Sequence, residues 1–313
     1  MAKKGSKRAA TTAASSSRVR KTTKKQDKVK AKKLAQGRPK IPSSFTLLRQ
    51  VYGVFRANWK KLLGIVVIYL VLNVVFASGF GTISSTINSI KNDVKTSQNL
   101  SSTVGTFSGL VGSAGTGSSQ TGSVLQTLLI VIESLVIIWA LRHIIAKKTI
   151  TVKEAYYRSM MPLIPFILVI LVILIQLMPV LLGTAVIGAI LSTIFNSSGG
   201  VTTVFSIIFI LLAAWSIYMI TSSIFALYIV TLPEMEPLKA LRSAKNLVHY
   251  RRWPILGRLI FLPVFILVVM AAIMLPLILW ATFLATPVFY FLGMVAILFV
   301  HAYLYSLYRS LLA

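Results

Sequence analysis

Cysteine is absent from the 313 residues. That excludes disulfide frameworks, thiolate nucleophiles and Cys-ligated metals. Acidic side chains are nearly as scarce, the six being Asp27, Asp93, Glu133, Glu154, Glu234 and Glu236, and histidine occurs only at His143, His249 and His301. A metal-dependent phosphodiesterase needs several carboxylate and histidine ligands close together, and this inventory does not supply them. No HExxH, Walker A, dinucleotide-type glycine pattern or GxSxG elbow is present. The expectation is a non-enzymatic protein with no cofactor and no metal. Charged residues make up 12% of the chain and hydrophobic ones 56%, against about 25% charged in a soluble domain. Such a composition belongs to an integral membrane protein.

A formal charge of +27 on so apolar a chain is explained by where the charge lies: 19 of the 33 Lys and Arg fall within residues 1–61. Residues 1–42 have almost no large apolar side chains and a single acid, Asp27. They cannot bury enough surface to offset chain entropy and are read as a disordered basic tail. A secretory signal is disfavoured because the first apolar run begins near Leu62 and has the length of a span. The tail's partner is expected to be anionic lipid, at about 1 kcal/mol per basic residue near the surface. Nucleic acid is the less favoured partner: "QGRPK" matches only half of a minor-groove hook, with Gln36 where the first Arg belongs, and no aromatics are present to stack on bases.

From residue 43 the chain reads as a membrane domain running to 313. Apolar runs of about 20 residues, enough to cross a hydrocarbon core about 30 Å thick, occur at 62–82, 124–145, 162–183, 203–231, 255–280 and 287–308. Pro179, Pro263 and Pro276 within or near these runs read as kinks tolerated among neighbouring helices. An N-terminus placed inside puts 31 of the 33 basic residues on inner segments and at their junctions, and only Lys91 and Lys95 outside. The positive-inside rule then predicts a plasma-membrane protein with both termini cytoplasmic. Among the outer segments, Ile83, Ile87, Ile90 and Val94 share a helical face that predicts a stalk, and residues 101–123 form a Gly/Ser/Thr-rich loop. Asn99 and Asn196 head glycosylation sequons.

A short amphipathic stretch precedes each odd-numbered span, which suggests a threefold internal repeat of in-plane helix and transmembrane hairpin. In "SSFTLLRQVYGVFRANWKKLLG" the stripe Phe45, Leu48, Tyr52, Phe55 and Trp59 lies among Arg49, Arg56, Lys60 and Lys61. In "EPLKALRSAKNLVHYRRWPILGRLI" the stripe Leu238, Leu241, Ala244 and Val248 is opposed by Lys239, Arg242 and Lys245, with Arg251, Arg252 and Trp253 at its exit. Trp59 and Trp253 occupy equivalent points, whereas "ITVKEAYYRSMMPLIPF" has Met160 and Met161 there. These are expected to be cytoplasmic interfacial helices meeting anionic headgroups.

These two stretches, together with "TLPEM" just ahead of the second, resemble the multipass bacterial and archaeal proteins grouped with the glycerophosphoryl diester phosphodiesterase membrane domain and related families of unknown function. The resemblance covers roughly residues 43–311 and rests on the order of helix, tryptophan and span. It implies an all-α multipass domain and supplies no functional residue. In those families the membrane domain can accompany a separate catalytic domain, of which these residues show no signature.

Glu133 is the one acid within a span, where an ionised carboxylate costs several kcal/mol unless it is paired or protonated. Gln176 and His301 are polar residues of spans 3 and 6. If the three face one another they form a site for a proton, a cation or a small solute, which would suit a transporter-like protein. The other reading makes Glu133 protonated and hydrogen-bonded to a neighbouring helix, and His301 an interhelical donor. Trp139 and Trp215 read as packing and interface anchors. The function expected is membrane organisation or an accessory role, with the transporter-like role as the alternative.

Overall fold

Six helices are long and apolar enough to cross a membrane in the computed structural model: Ser44–Phe76, Val124–Ile145, Leu163–Gly183, Thr203–Ile229, Arg252–Trp280 and Thr282–Leu312. The structure describes residues 41–77, 120–195, 199–249 and 251–312. Among the described residues there are nine helices and no strand: α1 (Ser44–Ala77), α2 (Gln120–Ile145), α3 (Val152–Ser159), α4 (Leu163–Phe195), α5 (Gly199–Ser223), α6 (Ala226–Ile229), α7 (Pro237–Val248), α8 (Arg252–Trp280) and α9 (Thr282–Leu312). Pro42–Leu312 forms one compact unit. The basic tail up to residue 40, the stalk and both sequons lie outside the described residues, as does the Gly/Ser-rich loop up to residue 119.

α9 packs against α1, α2 and α8, so the first and third hairpins share a core. The α4–α5 hairpin joins that core through contacts of α4 with α2 and of α5 with α8, while α7 lies against α4, α5, α6 and α9. Its outer faces are bare: Leu171, Ile175, Ile210 and Trp215 are each at least half exposed. Such apolar faces suit the hydrocarbon of a bilayer. Gly183 explains why α4 and α5 approach so closely, since a Cβ there would stand 2.9 Å from Leu212 Cδ1.

All the short helices lie at one end of the bundle, together with the start of α1 and the end of α9. Arg258 Nε of α8 donates to Pro42 O at 2.7 Å, and Gln50, Asn58, Ile144 and Arg309 line one recess there. α2 stops by a Schellman pair, in which Lys147 N–H reaches Ile144 O and Lys148 N–H reaches His143 O, both at 3.0 Å. Lys147 supplies the left-handed residue that this stop requires, with φ 57°. α3 opens on Thr151, whose side chain accepts from Glu154 N–H. α7 opens with Pro237 in its first turn, where a missing N–H does no harm.

The element order keeps three amphipathic stretches before three hairpins. The first stretch and the first span both lie within α1 and are divided by a kink at Asn58, whose backbone is non-helical (φ −130°, ψ 24°). The aromatic stripe of the first stretch is left bare, and a neighbouring face of α1 packs on protein. Leu47, Val51, Leu62, Ile65 and Tyr69 are buried in α1, while Phe45, Tyr52 and Trp59 are 73%, 66% and 56% exposed. In α7 Ala244 and Val248 of the expected stripe are buried together with Ala240, while Leu238 is exposed. In α1 two neighbouring faces each satisfy a 3.6-residue period, and lipid accepts one of them as readily as protein accepts the other. Pro179, Pro263, Pro276 and Pro287 all lie inside continuous helices.

Candidate functional site

Two polar assemblies cross the apolar core, and both are anchored on α2. The first surrounds Glu133, which is 2% exposed. Its Oε2 accepts a hydrogen bond of 2.7 Å from the Tyr156 hydroxyl of α3, and its Oε1 has no hydrogen-bond partner. Tyr156 reaches the carboxyl because α3 is pressed onto α1 at Gly64, where a Cβ would stand 3.1 Å from Val152 Cγ2. The same hydroxyl lies 3.3 Å from Ile65 O. A hydroxyl has only one hydrogen to give, and the shorter distance assigns it to Glu133. Burial, and then the neighbouring Glu133, push the Tyr156 hydroxyl above its usual pKa, so it stays protonated and donating.

Tyr69 of α1 lies within electrostatic reach of Glu133, and Asn73, one helical turn further along α1, is within reach of the Tyr69 hydroxyl. Asn73 is 1% exposed and its Nδ2 makes no hydrogen bond. Gln126, two turns before Glu133 on α2, is buried as well. Among the described residues no Lys, Arg or His forms an ion pair with Glu133; the two ion pairs are Arg158–Glu154 at 3.2 Å and Lys239–Glu236 at 3.3 Å. Tyr69 also lines a recess of about 300 Å³ bounded by Met270, Phe289 and Tyr290. On its other side Tyr156 lines a wide groove with Ile68, Lys153, Tyr157, Met160 and Met161.

The second assembly is fully bonded. Ser134 O–H donates to Ile130 O at 2.7 Å, so its oxygen accepts from His301 Nε2 at 3.0 Å. That places the imidazole hydrogen on Nε2, and Nδ1 accepts from the Tyr228 hydroxyl at 3.2 Å. Arg142 Nη1 donates to Thr231 O at 2.8 Å and Nη2 to Tyr228 O at 3.1 Å and to Thr231 Oγ1. The guanidinium thereby satisfies carbonyls left open at the end of α6. α2, α6 and α9 are tied by this seam, and each polar group in it has a partner.

The expected triad is therefore not one site. His301 reaches the turn of α2 that carries Glu133, but it bonds to Ser134 and not to the carboxyl. Gln176 on α4 bonds to neither, and its buried Oε1 has no partner. Tyr156 bonds to Glu133 and Tyr69 lies near it, with Asn73 beside Tyr69, and the sequence signal for the last two is a polar pair four residues apart inside span 1. No group of three or more His, Cys, Asp or Glu that could hold a metal ion occurs among the described residues.

The interfacial residues lie at the end of the bundle that carries α3 and α7. Arg49, Arg56, Lys60, Lys239, Arg242 and Lys245 are exposed, as are Trp59 and Trp253, and Lys61, Arg251 and Arg252 are half-buried. Arg252 stands over the Tyr218 ring at 4.6 Å and Lys60 over Trp59 at 6.0 Å. His143 stacks on Trp139 with ring centroids 3.8 Å apart and bonds to its carbonyl at 2.9 Å. Comparison with family models, with curated proteins and with solved structures finds no match to this chain.

Proposed function

We propose that this multipass membrane protein is non-enzymatic and organises the inner leaflet of the plasma membrane, or serves as an accessory there, by holding anionic headgroups against its basic end. The observation that carries this reading is the pair of basic faces on the first half of α1 and on α7. Arg49, Arg56, Lys60, Arg242 and Lys245 are exposed there and form no ion pair among the described residues, beside exposed Trp59 and Trp253. Cationic side chains next to aromatic ones at the end of a span match the headgroup layer, with tryptophan at the ester region and ammonium or guanidinium groups at phosphate. α7 is held on the bundle through Ala240, Ala244 and Val248, which leaves its basic face free to turn outward. Both termini of the bundle lie at this end, which this reading places in the cytoplasm with the basic tail.

Quenching of Trp59 and Trp253 by brominated lipid tests the proposal. Brominated phosphatidylglycerol should quench more strongly than brominated phosphatidylcholine, and the difference should shrink as salt shortens the Debye length from about 10 Å to about 3 Å. Replacing Arg49, Arg56, Arg242 and Lys245 by Gln should remove the preference. Equal quenching by the two lipids in the unaltered protein would overturn it.

A further inference from the structure

We infer that the buried Glu133 carboxyl, with oxygen atoms of α1 and α3 beside it, binds one monovalent cation of the hardness of Na⁺. This does not depend on the headgroup reading, because Glu133, Tyr69, Asn73 and Tyr156 are none of the residues of the basic surface.

Three observations converge on a cation. The Glu133 carboxyl is 2% exposed with Oε1 unpartnered, and no basic side chain pairs with it among the described residues. A buried carboxylate with neither a counter-charge nor a full set of hydrogen bonds is strongly destabilising, so such a group inside a span calls for an occupant that completes it. Asn73, 1% exposed, is the second incompletely bonded side chain on this side of the bundle. A half-turn of its carboxamide exchanges nitrogen for oxygen, so it can present Oδ1. The remaining donors are hydroxyls, those of Tyr69 and Tyr156. Tyr156 gives its hydrogen to Glu133 Oε2 at 2.7 Å, which leaves its oxygen lone pairs for a ligand.

The charge balance selects the class. An all-oxygen set suits hard cations, and one carboxylate among neutral oxygens balances one positive charge. A divalent ion would bury an unmatched charge, and the described residues hold no cluster of three ligating His, Cys, Asp or Glu. Entry is offered by the groove at the basic end, from which the Tyr156 ring separates the carboxyl. Because that ring belongs to α3, occupancy of the site and the seating of α3 on α1 are coupled.

The test is the thermal unfolding of the full chain in nanodiscs of neutral lipid, with NaCl replaced stepwise by choline chloride at constant ionic strength. The midpoint should rise with Na⁺ and saturate, as a ligand bound only to the native state requires. Glu133→Gln, which keeps the shape and loses the charge, should abolish the dependence. Tyr69→Phe, which keeps the charge, should raise the half-saturating Na⁺ concentration roughly tenfold, and it carries the test alone if the Gln variant fails to fold. Identical midpoints in Na⁺ and choline would overturn the proposal, leaving a carboxyl completed by a proton. An undiminished Na⁺ effect in Glu133→Gln, or an unchanged half-saturation in Tyr69→Phe, would overturn it too. The lipid preference in bromine quenching should be the same in both variants, so failure of one proposal is distinguishable from failure of the other.

Discussion

Removing the Tyr156 hydroxyl probes the link between the surface helix α3 and the intramembrane carboxyl. In Tyr156→Phe the ring remains and only the 2.7 Å bond to Glu133 Oε2 is lost, with the weaker 3.3 Å approach to Ile65 O. Hydrogen bonds between membrane helices average about 0.6 kcal/mol and reach about 1.7. This bond belongs near the upper end, because Glu133 Oε1 already lacks a partner and the substitution leaves the whole carboxyl unbonded. A buried polar group stripped of its partners is destabilised by about 1–3 kcal/mol, and we expect a loss of about 2 kcal/mol. The assay is reversible unfolding in mixed micelles, run as a double-mutant cycle with Glu133→Leu. Against the Leu background the Phe substitution should be almost neutral, which gives a coupling of about 2 kcal/mol. A loss below about 0.5 kcal/mol, or an equal loss in the Leu background, would refute the reasoning.

Two further outcomes follow from the same geometry. Arg142→Met strips donors from the Thr231 and Tyr228 carbonyls and should destabilise by about 2–3 kcal/mol in the same unfolding assay, with Arg142→Lys recovering only part because an ammonium cannot reproduce the fork. Stability should also fall on the alkaline side. The folded Tyr156 pKa is raised by burial first and by Glu133 second, so its contribution is complete below the unfolded tyrosine value of about 10 and is lost as pH rises above it. Tyr156→Phe should have a shallower alkaline slope than the unaltered protein, and equal slopes would contradict the assignment.

Much of the architecture was legible because membrane physics leaves few choices. A run of about 20 apolar residues has only one way to satisfy its backbone in hydrocarbon, so the span positions read from composition agree with the helices to within a few residues over most of the chain. Span 1 follows directly on the surface stretch that starts at Ser44, and the non-helical backbone of Asn58 divides the two. The candidate site was legible only in part. Glu133 stands out as an acid in a span whatever the fold, whereas its actual neighbours Tyr69, Asn73 and Tyr156 are ordinary polar residues until three helices meet. The grouping of Glu133 with Gln176 and His301 assumed that polar residues of different spans face one another. Rotation of each helix about its axis decides that, and α2 turns Ser134 toward His301 and Glu133 toward α3.

The sequence by itself determined that this chain is all-α, that it has six spans, that its basic charge gathers at one end and that Cys-based chemistry is excluded. Length, hydropathy and residue inventory suffice for those statements. Which apolar stripe of α1 packs on protein and which is left bare was decided only by the tertiary structure. So was the hydrogen bond to Glu133 from a tyrosine of a surface helix, and the bonding of every polar group around His301. The reason is that helix faces differ little in their affinity for lipid and for protein, so small terms choose between them: the close approach that Gly64 permits to Val152, the small side chains of Ala240 and Ala244, and a few buried hydrogen bonds.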